Sequence, residues 1–303
     1  MPPIFDTAKD TTLVTYYQMP MQHRLAENAT RIKGKPYAEF FRTDMYAPLG
    51  ILEAQKKGLT PSEKLYRPTV ADINRMLTQD NPPAAFFGVI DDEDGILSAT
   101  WSHHFFPKVT SEMMKWWFVW HQVETERYSL WFPHAHVSNR VEHPERLQDP
   151  SLGYEEKIYG NPNYIKEYVG ETLLDVIIHF APPESLGVSA ETMQKMNFTF
   201  SASGWSAMAD NPDVPSALMI HLGRDVEGGF ELFSSYMIGV HREWSRLAGV
   251  EGLGEKALAH ARAQGMTGKA LEQTAYDMSV HDMTEFTRLG EMLPALYQRF
   301  GQA

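Results

Sequence analysis

The sequence predicts an α+β fold, and three observations carry that prediction. Runs rich in β-branched and aromatic residues recur at strand length between residues 96 and 240. A broad apolar stripe at helical spacing then occupies the C-terminal end. The first ~80 residues have neither texture and read as helical and loop-rich, up to a breaking cluster at Gln79-Asp80-Asn81-Pro82-Pro83. Strands followed by one long amphipathic helix imply a curved, mostly antiparallel sheet whose face the helix closes, with a cavity between them. A small helical N-terminal domain, residues 1–83, is expected to precede the main domain, residues 84–303.

The elements follow in order. Thr60-Pro61-Ser62-Glu63 has the form of a capping box with proline at the first helical position, so a helix is expected there. Thr69 precedes Val70, Ile73, Met76 and Leu77, which share a helical face. Ile96–Val109 reads as the first long strand and Ser111–Trp120 as an aromatic helix. Residues 132–165 are dense in Pro, Asn and His and read as a long irregular stretch, a length that compact domains reserve for function. Leu173–Phe180, Asn197–Trp205, Ala217–Leu222 and Phe230–Val240 are further strands, the last two joined by a loop over residues 223–229. Ala257, Leu258 and Ala261 mark a helix that Gly265–Gly268 ends. The final helix starts near Lys269, carries Leu271, Ala275, Met278, Phe286, Leu289 and Leu293, and is expected to kink or restart at Pro294.

Composition narrows the function. No cysteine is present among 303 residues, which removes disulfide frameworks and thiolate metal sites and gives no support to an extracellular home. The N-terminal MPPIFDTAKDTTLVTYYQ lacks the basic and apolar regions of a secretory signal, so an intracellular, cytoplasmic protein is expected. The most apolar runs, Trp116–Trp120 and Leu173–Phe180, fall far short of the roughly 20 residues that span a bilayer, so no membrane partner is expected. A formal charge of −12, without basic runs or zinc-finger spacing, argues against nucleic acid.

Three clusters could carry chemistry. His281-Asp282-Met283-Thr284-Glu285 places an imidazole and a carboxylate four apart on a helical face shared with Met278, Leu289 and Met292. Charged groups in apolar company are costly unless paired or coordinated. In Trp131-Phe132-Pro133-His134-Ala135-His136-Val137-Ser138-Asn139, His134 and His136 have a common metal-ligand spacing and would face one way on a strand, although Pro133 favours a loop. Glu167 and Glu171 precede the strand Leu173–Phe180 and offer further carboxylates. Gly204-Trp205-Ser206-Ala207-Met208 fails the nucleophile-elbow pattern at its last position, Gly249–Gly254 fits no nucleotide-binding fingerprint, and no His-Glu-x-x-His occurs. A metal site is the chemistry that remains.

Trp116-Trp117-Phe118-Val119-Trp120-His121, Arg127-Tyr128, Trp131-x-Pro133-x-x-His136-x-x-Asn139, His221, Tyr236 and His281-x3-Glu285, in this order over about residues 100–290, resemble one family. It is the metal-dependent C–C hydrolases that include diacetylphloroglucinol hydrolase and phloretin hydrolase. The resemblance implies a helix-grip domain, the START and birch-pollen-allergen architecture, behind a helical N-terminal extension. It implies a metal, usually zinc, held by His136, Glu167, His281 and Glu285, with Glu171 as the substitute for Glu167 and His134 as a supporting or exposed residue. Tyr128, Asn139, His221 and Tyr236 would line the substrate cavity and serve orientation and proton transfer. The implied substrate is a small aromatic ketone of the acylphloroglucinol or phloretin type, and the implied assembly a homodimer. Two rivals stay open at this point: a non-haem iron oxygenase built on two His and one carboxylate, and a non-catalytic small-molecule carrier.

Overall fold

The computed structural model describes residues 10–16 and 18–301, so the first half of the segment weighed above as a leader lies outside the described residues. The strands are β1 (Thr11–Val14), β2 (Met45–Pro48), β3 (Ala85–Asp92), β4 (Gly95–Pro107), β5 (His136–Val141), β6 (Asn163–Val169), β7 (Thr172–Phe180), β8 (Phe200–Ser201), β9 (Gly204–Met208), β10 (Asn211–Val226) and β11 (Gly229–His241). The helices are α1 (Met19–Arg31), α2 (Leu49–Gln55), α3 (Val70–Leu77), α4 (Ser111–Trp120), α5 (Thr125–Tyr128), α6 (Pro144–Gln148), α7 (Tyr154–Ile158), α8 (Ala190–Met196), α9 (Trp244–Ala248), α10 (Leu253–Ala263) and α11 (Glu272–Phe300).

Nine strands form one sheet in the order β3-β4-β11-β10-β9-β7-β6-β5, with β8 paired to β10. Every pairing in it is antiparallel. The mixed fold, the large antiparallel sheet and the long C-terminal helix agree with expectation. One face of the sheet presents Phe106, Met219, Leu232 and Tyr236 to Met278, Phe286, Leu289 and Leu293 of α11 and to Met114 and Trp117 of α4. The opposite face presents Leu97, Trp101, Leu218, Leu222 and Phe233 to Ile73, Met76 and Leu77 of α3 and to Trp244 of α9. With both faces covered, β4 is buried from Gly95 to Phe106, including the polar residues Ser98, Thr100, Ser102, His103 and His104.

Several boundaries differ from the sequence reading for local reasons. The strand pair β10–β11 extends until Val226 meets Gly229, which leaves Glu227 and Gly228 as the turn; Gly223 belongs to β10, where a side chain would collide with the Phe230 ring. Thr60-Pro61-Ser62-Glu63 opens only one 3₁₀ turn, Ser62–Lys64, with no side-chain cap. Thr69, by contrast, does cap α3, its hydroxyl accepting from the Asp72 amide. Residues 132–165 are not a single loop, because they contain β5, α6, α7 and the start of β6. Asn197 takes a left-handed conformation at the end of α8, so the expected strand 197–205 begins only at Phe200 and is interrupted before Gly204. α11 continues through Pro294 to Phe300 without a break.

The expected boundary at 79–83 falls between α3 and β3. Side chains before it share cores with side chains after it: Ala47 and Ile51 pack with Ala85 and Met283, and Met21 and Met45 with Phe132 and Ala135. Among the described residues no helix is long and apolar enough to cross a membrane.

Candidate metal centre

β5 and α11 bring the two predicted histidines together. His136 opens β5 and lies opposite Glu167 of β6, while His281 and Glu285 sit one turn apart on α11. The imidazole of His136 stacks on the Tyr128 ring at 3.7 Å between centroids, and its Nδ1–H donates to the Tyr128 carbonyl at 2.9 Å. His281 Nδ1–H donates to the Tyr168 carbonyl at 3.1 Å. A carbonyl only accepts, so each ring carries a proton on Nδ1, and Nε2 is the nitrogen left to face the other groups. Those two Nε2 atoms converge on Glu285 Oε2, which lies 3.4 Å from His136 and 3.5 Å from His281. His136 Nε2 is buried without a hydrogen-bond partner. Glu167 Oε2 lies 3.6 Å from the same nitrogen.

These spacings suit a metal. Donors held about 2.0–2.1 Å from one ion at tetrahedral angles lie about 3.3–3.4 Å apart. His136, His281 and Glu285, all buried, have donor atoms mutually within 4.8 Å. Electrostatics agree with the geometry. Burial alone would depress the His281 imidazole, but the Glu285 carboxylate raises it to about 9. Burial alone would raise Glu285, but His281 and His136 hold it at about 2. The pocket therefore favours a positive charge between these groups, whether a proton or an ion. Glu171 is exposed in the β6–β7 turn, whereas Glu167 lies opposite His136 on β6. His134 is neither exposed nor a donor here; it is buried against Tyr16 and Phe132, and burial pushes it down to about 4.

A cavity of about 60 Å³ opens beside the cluster, lined by Tyr128, Glu167, His221, Tyr236 and Glu285 among apolar side chains that include Phe118 and Met219. Of the expected cavity residues, three are present. Asn139 is not in the lining, but on the edge strand β5 it pairs with the lining residue Ile165 and so lies on the same face of the sheet. Both amide atoms of Asn139 are buried without a partner. Tyr128 donates its hydroxyl to Glu167, and Tyr236 donates to Glu285 Oε1 at 3.4 Å. Burial and the adjacent carboxylates push both phenols well above their ordinary range, so both remain donors. Burial lowers His221 and takes His121 down to about 3, so both imidazoles are neutral.

The sequence pattern described as the DAPG hydrolase PhiG domain matches residues 66–298. The chain belongs to the DAPG hydrolase family. It is 39% identical over 300 residues to a 2,4-diacetylphloroglucinol hydrolase of a Pseudomonas species, covering 97% of this chain and 98% of that one. The same enzyme of Pseudomonas protegens is also 39% identical, with 97% and 94% covered. A phloretin hydrolase of Eubacterium ramulus is 27% identical over 214 residues, 70% of each chain. The solved structure of Ara h 8.0201 aligns with a TM-score of 0.30 and 11% identity over 61% of this chain and 99% of its own. Membership in the DAPG hydrolase family makes the chain a hydrolase acting on carbon–carbon bonds.

The sequence reading gave no role to Asn163 or His121, which also line the cavity. It also passed over Asp282, whose carboxylate is buried between Ser102 and Ser234. The available signal was the placement of Ser98, Thr100 and Ser102 at alternate positions of β4.

Proposed function

We propose that this chain hydrolyses the bond between an acyl group and a polyhydroxylated aromatic ring, of the acylphloroglucinol or phloretin type, with a divalent metal, zinc, at His136, His281 and Glu285. Glu167 is the proposed fourth donor. The observation that carries this reading is the convergence of two Nε2 lone pairs and a carboxylate at the wall of a cavity with protonated tyrosines and neutral histidines. The helix-grip architecture, with residues 1–83 as an extension, is part of the same reading and rests on α11 lying across the large antiparallel sheet. A homodimer and a cytoplasmic location complete it.

The aryl–acyl bond resists hydrolysis because its leaving group is a carbanion. A polyhydroxylated ring evades this by taking a proton on the carbon that bears the acyl group, which turns the system into a β-diketone and the leaving group into an enolate. A metal bound here would supply Lewis acidity toward the acyl carbonyl and toward water. The chain supplies the rest. Tyr128 and Tyr236 donate hydrogen bonds to the two carboxylates and fix their orientation. His221, neutral and at the cavity wall, takes a proton from water or a ring hydroxyl and returns it to the ring carbon. Asn139, with its free amide, is proposed to receive a ring hydroxyl once substrate displaces the side chains in front of it. The apolar lining excludes bulk water from the enolate. Water's oxygen ends on the acyl carbon as a carboxylic acid, and its hydrogen ends on the ring.

The test is elemental analysis of purified protein and of a His281→Ala/Glu285→Ala variant, with hydrolysis of acylated phloroglucinols followed in parallel. Near-stoichiometric zinc, lost in the variant together with turnover, is expected. A folded wild type that takes up no divalent metal would sink the proposal.

A further inference from the structure

His221 is held by more than the cavity wall. Its amide N–H donates to the Ser203 hydroxyl at 2.9 Å, and its ring packs edge-on against Tyr236 and tilted against Phe286, at 5.0 and 5.3 Å between centroids. Its Nδ1 lies 3.0 Å from the Ser234 hydroxyl, and that hydroxyl also contacts Asp282 Oδ1. The other carboxylate oxygen repeats the pattern: Ser102 contacts Asp282 Oδ2 and lies 2.9 Å from His104 Nε2. Asp282, Ser234 and Ser102 are all buried.

A hydroxyl carries one hydrogen. Between a carboxylate, which accepts only, and an imidazole nitrogen, the serine gives that hydrogen to the carboxylate and must accept from the imidazole. Ser234 thus requires a proton on His221 Nδ1. Burial lowers the ring and so favours its neutral form, which leaves Nε2, the nitrogen that Ser234 does not engage, without a proton in a residue that lines the cavity. Without Asp282 the Ser234 hydroxyl could turn and donate to Nδ1, and the proton would then sit on Nε2, where it blocks proton acceptance.

We propose that Asp282 and Ser234 are positioning residues that lock His221 in its Nδ1–H form, so that Nε2 faces the aryl ketone as a proton acceptor. This deepens the proposed function and rests on it for the identity of the substrate. The device has a sequence cost: Asp282 occupies the position next to His281 on α11, so the helix that brings the metal donors also brings the anchor for the acid–base residue, on an adjacent face.

The experiment is ¹⁵N NMR of imidazole-labelled, zinc-loaded protein, with His221 assigned from a His221→Gln sample. Wild type, Ser234→Ala and Ser102→Ala are compared, with steady-state kinetics and zinc content measured on each. The expected wild-type spectrum has a protonated Nδ1 and a bare Nε2 at His221. Ser234→Ala should mix the two tautomers and lower kcat roughly 10- to 100-fold, part of the 10²–10⁴ usual for a positioned acid–base group, with KM and zinc little changed. Ser102→Ala should leave the His221 tautomer as it is. A proton on Nε2 in wild type, or an unchanged tautomer in Ser234→Ala, overturns the proposal. Absence of aryl ketone hydrolysis in the wild type would count against the proposed function alone, since the tautomer is read without turnover.

Discussion

At the residue scale, what fits His136 and His281 to act as donors is the backbone behind them. Each ring spends its proton on a carbonyl, of Tyr128 or Tyr168, and so presents the other nitrogen forward. Glu167 stands at the edge of this arrangement, 3.6 Å from His136 Nε2 and bonded to Tyr128. If it is a fourth donor, Glu167→Gln should weaken zinc binding on the order of 10- to 100-fold, measured by competition with a chelator. Unchanged affinity would confine Glu167 to holding Tyr128. His221 makes the complementary case: His221→Ala should retain zinc and lose roughly 10²–10⁴ in turnover. The pairing of His281 with Glu285 was legible from a fixed helical spacing, and the place of His136 in the cluster from the family resemblance. The choice between Glu167 and Glu171 was not, since it depends on which residue of β6 pairs with His136 and where the β6–β7 turn begins. The placement of Asn139 is hidden from the sequence for a similar reason, because a register shift between His136 and Ser138 decides how β5 meets β6.

At the element scale, α11 departs from the amphipathic helix its stripe suggests. From His281 to Gly290 it is buried on every side, because the sheet covers one face and the chain before residue 83 covers the other. Polar residues on that second face are absorbed by specific bonds: Gln55 donates to Ser279 at 2.6 Å, and Tyr16 donates to Thr284 at 2.7 Å. Sequence periodicity reports only the apolar face, so the long strands and the helix were readable while this second covering was not. Gly290 sets the approach of α11 to the sheet, since a methyl there would run into the Phe106 ring. Gly290→Ala gains helix propensity of roughly 1 kcal/mol yet should still destabilise by about 1–3 kcal/mol of overpacking, net of that gain. A lower urea midpoint is expected, and a higher one would show that Phe106 gives way freely.

At the scale of the whole molecule, the N-terminal segment braces both elements that carry the candidate metal donors. Asn28 of α1 donates to the carbonyls of Pro133 and His136, at 2.9 and 2.8 Å, while Tyr16 and Gln55 hold α11. Asn28→Ala would leave two buried carbonyls short of a donor, and a loss of about 1–3 kcal/mol is expected in chemical denaturation. The same dense burial sets the response to acid. Burial keeps His121 at about 3 and His134 at about 4, against about 6.5 for a free imidazole, and lowers His179, His221 and His241 in the same direction. Below pH ~6.5 the unfolded chain therefore binds protons that the folded chain refuses. Stability from these groups is complete above that pH and falls as acid is added, down to the folded values near 4 and 3. In the metal-free protein His281 runs the other way: raised to about 9, it stabilises fully below ~6.5 and loses that contribution as pH climbs through 9. Several histidines oppose one, so the denaturation midpoint should fall from pH 7 to pH 5. His134→Gln removes one titrating group and should flatten that slope by up to about 1.4 kcal/mol per pH unit. An unchanged slope would mean that His134 accepts its proton inside the folded protein, against the apolar packing of Tyr16 and Phe132 that surrounds it.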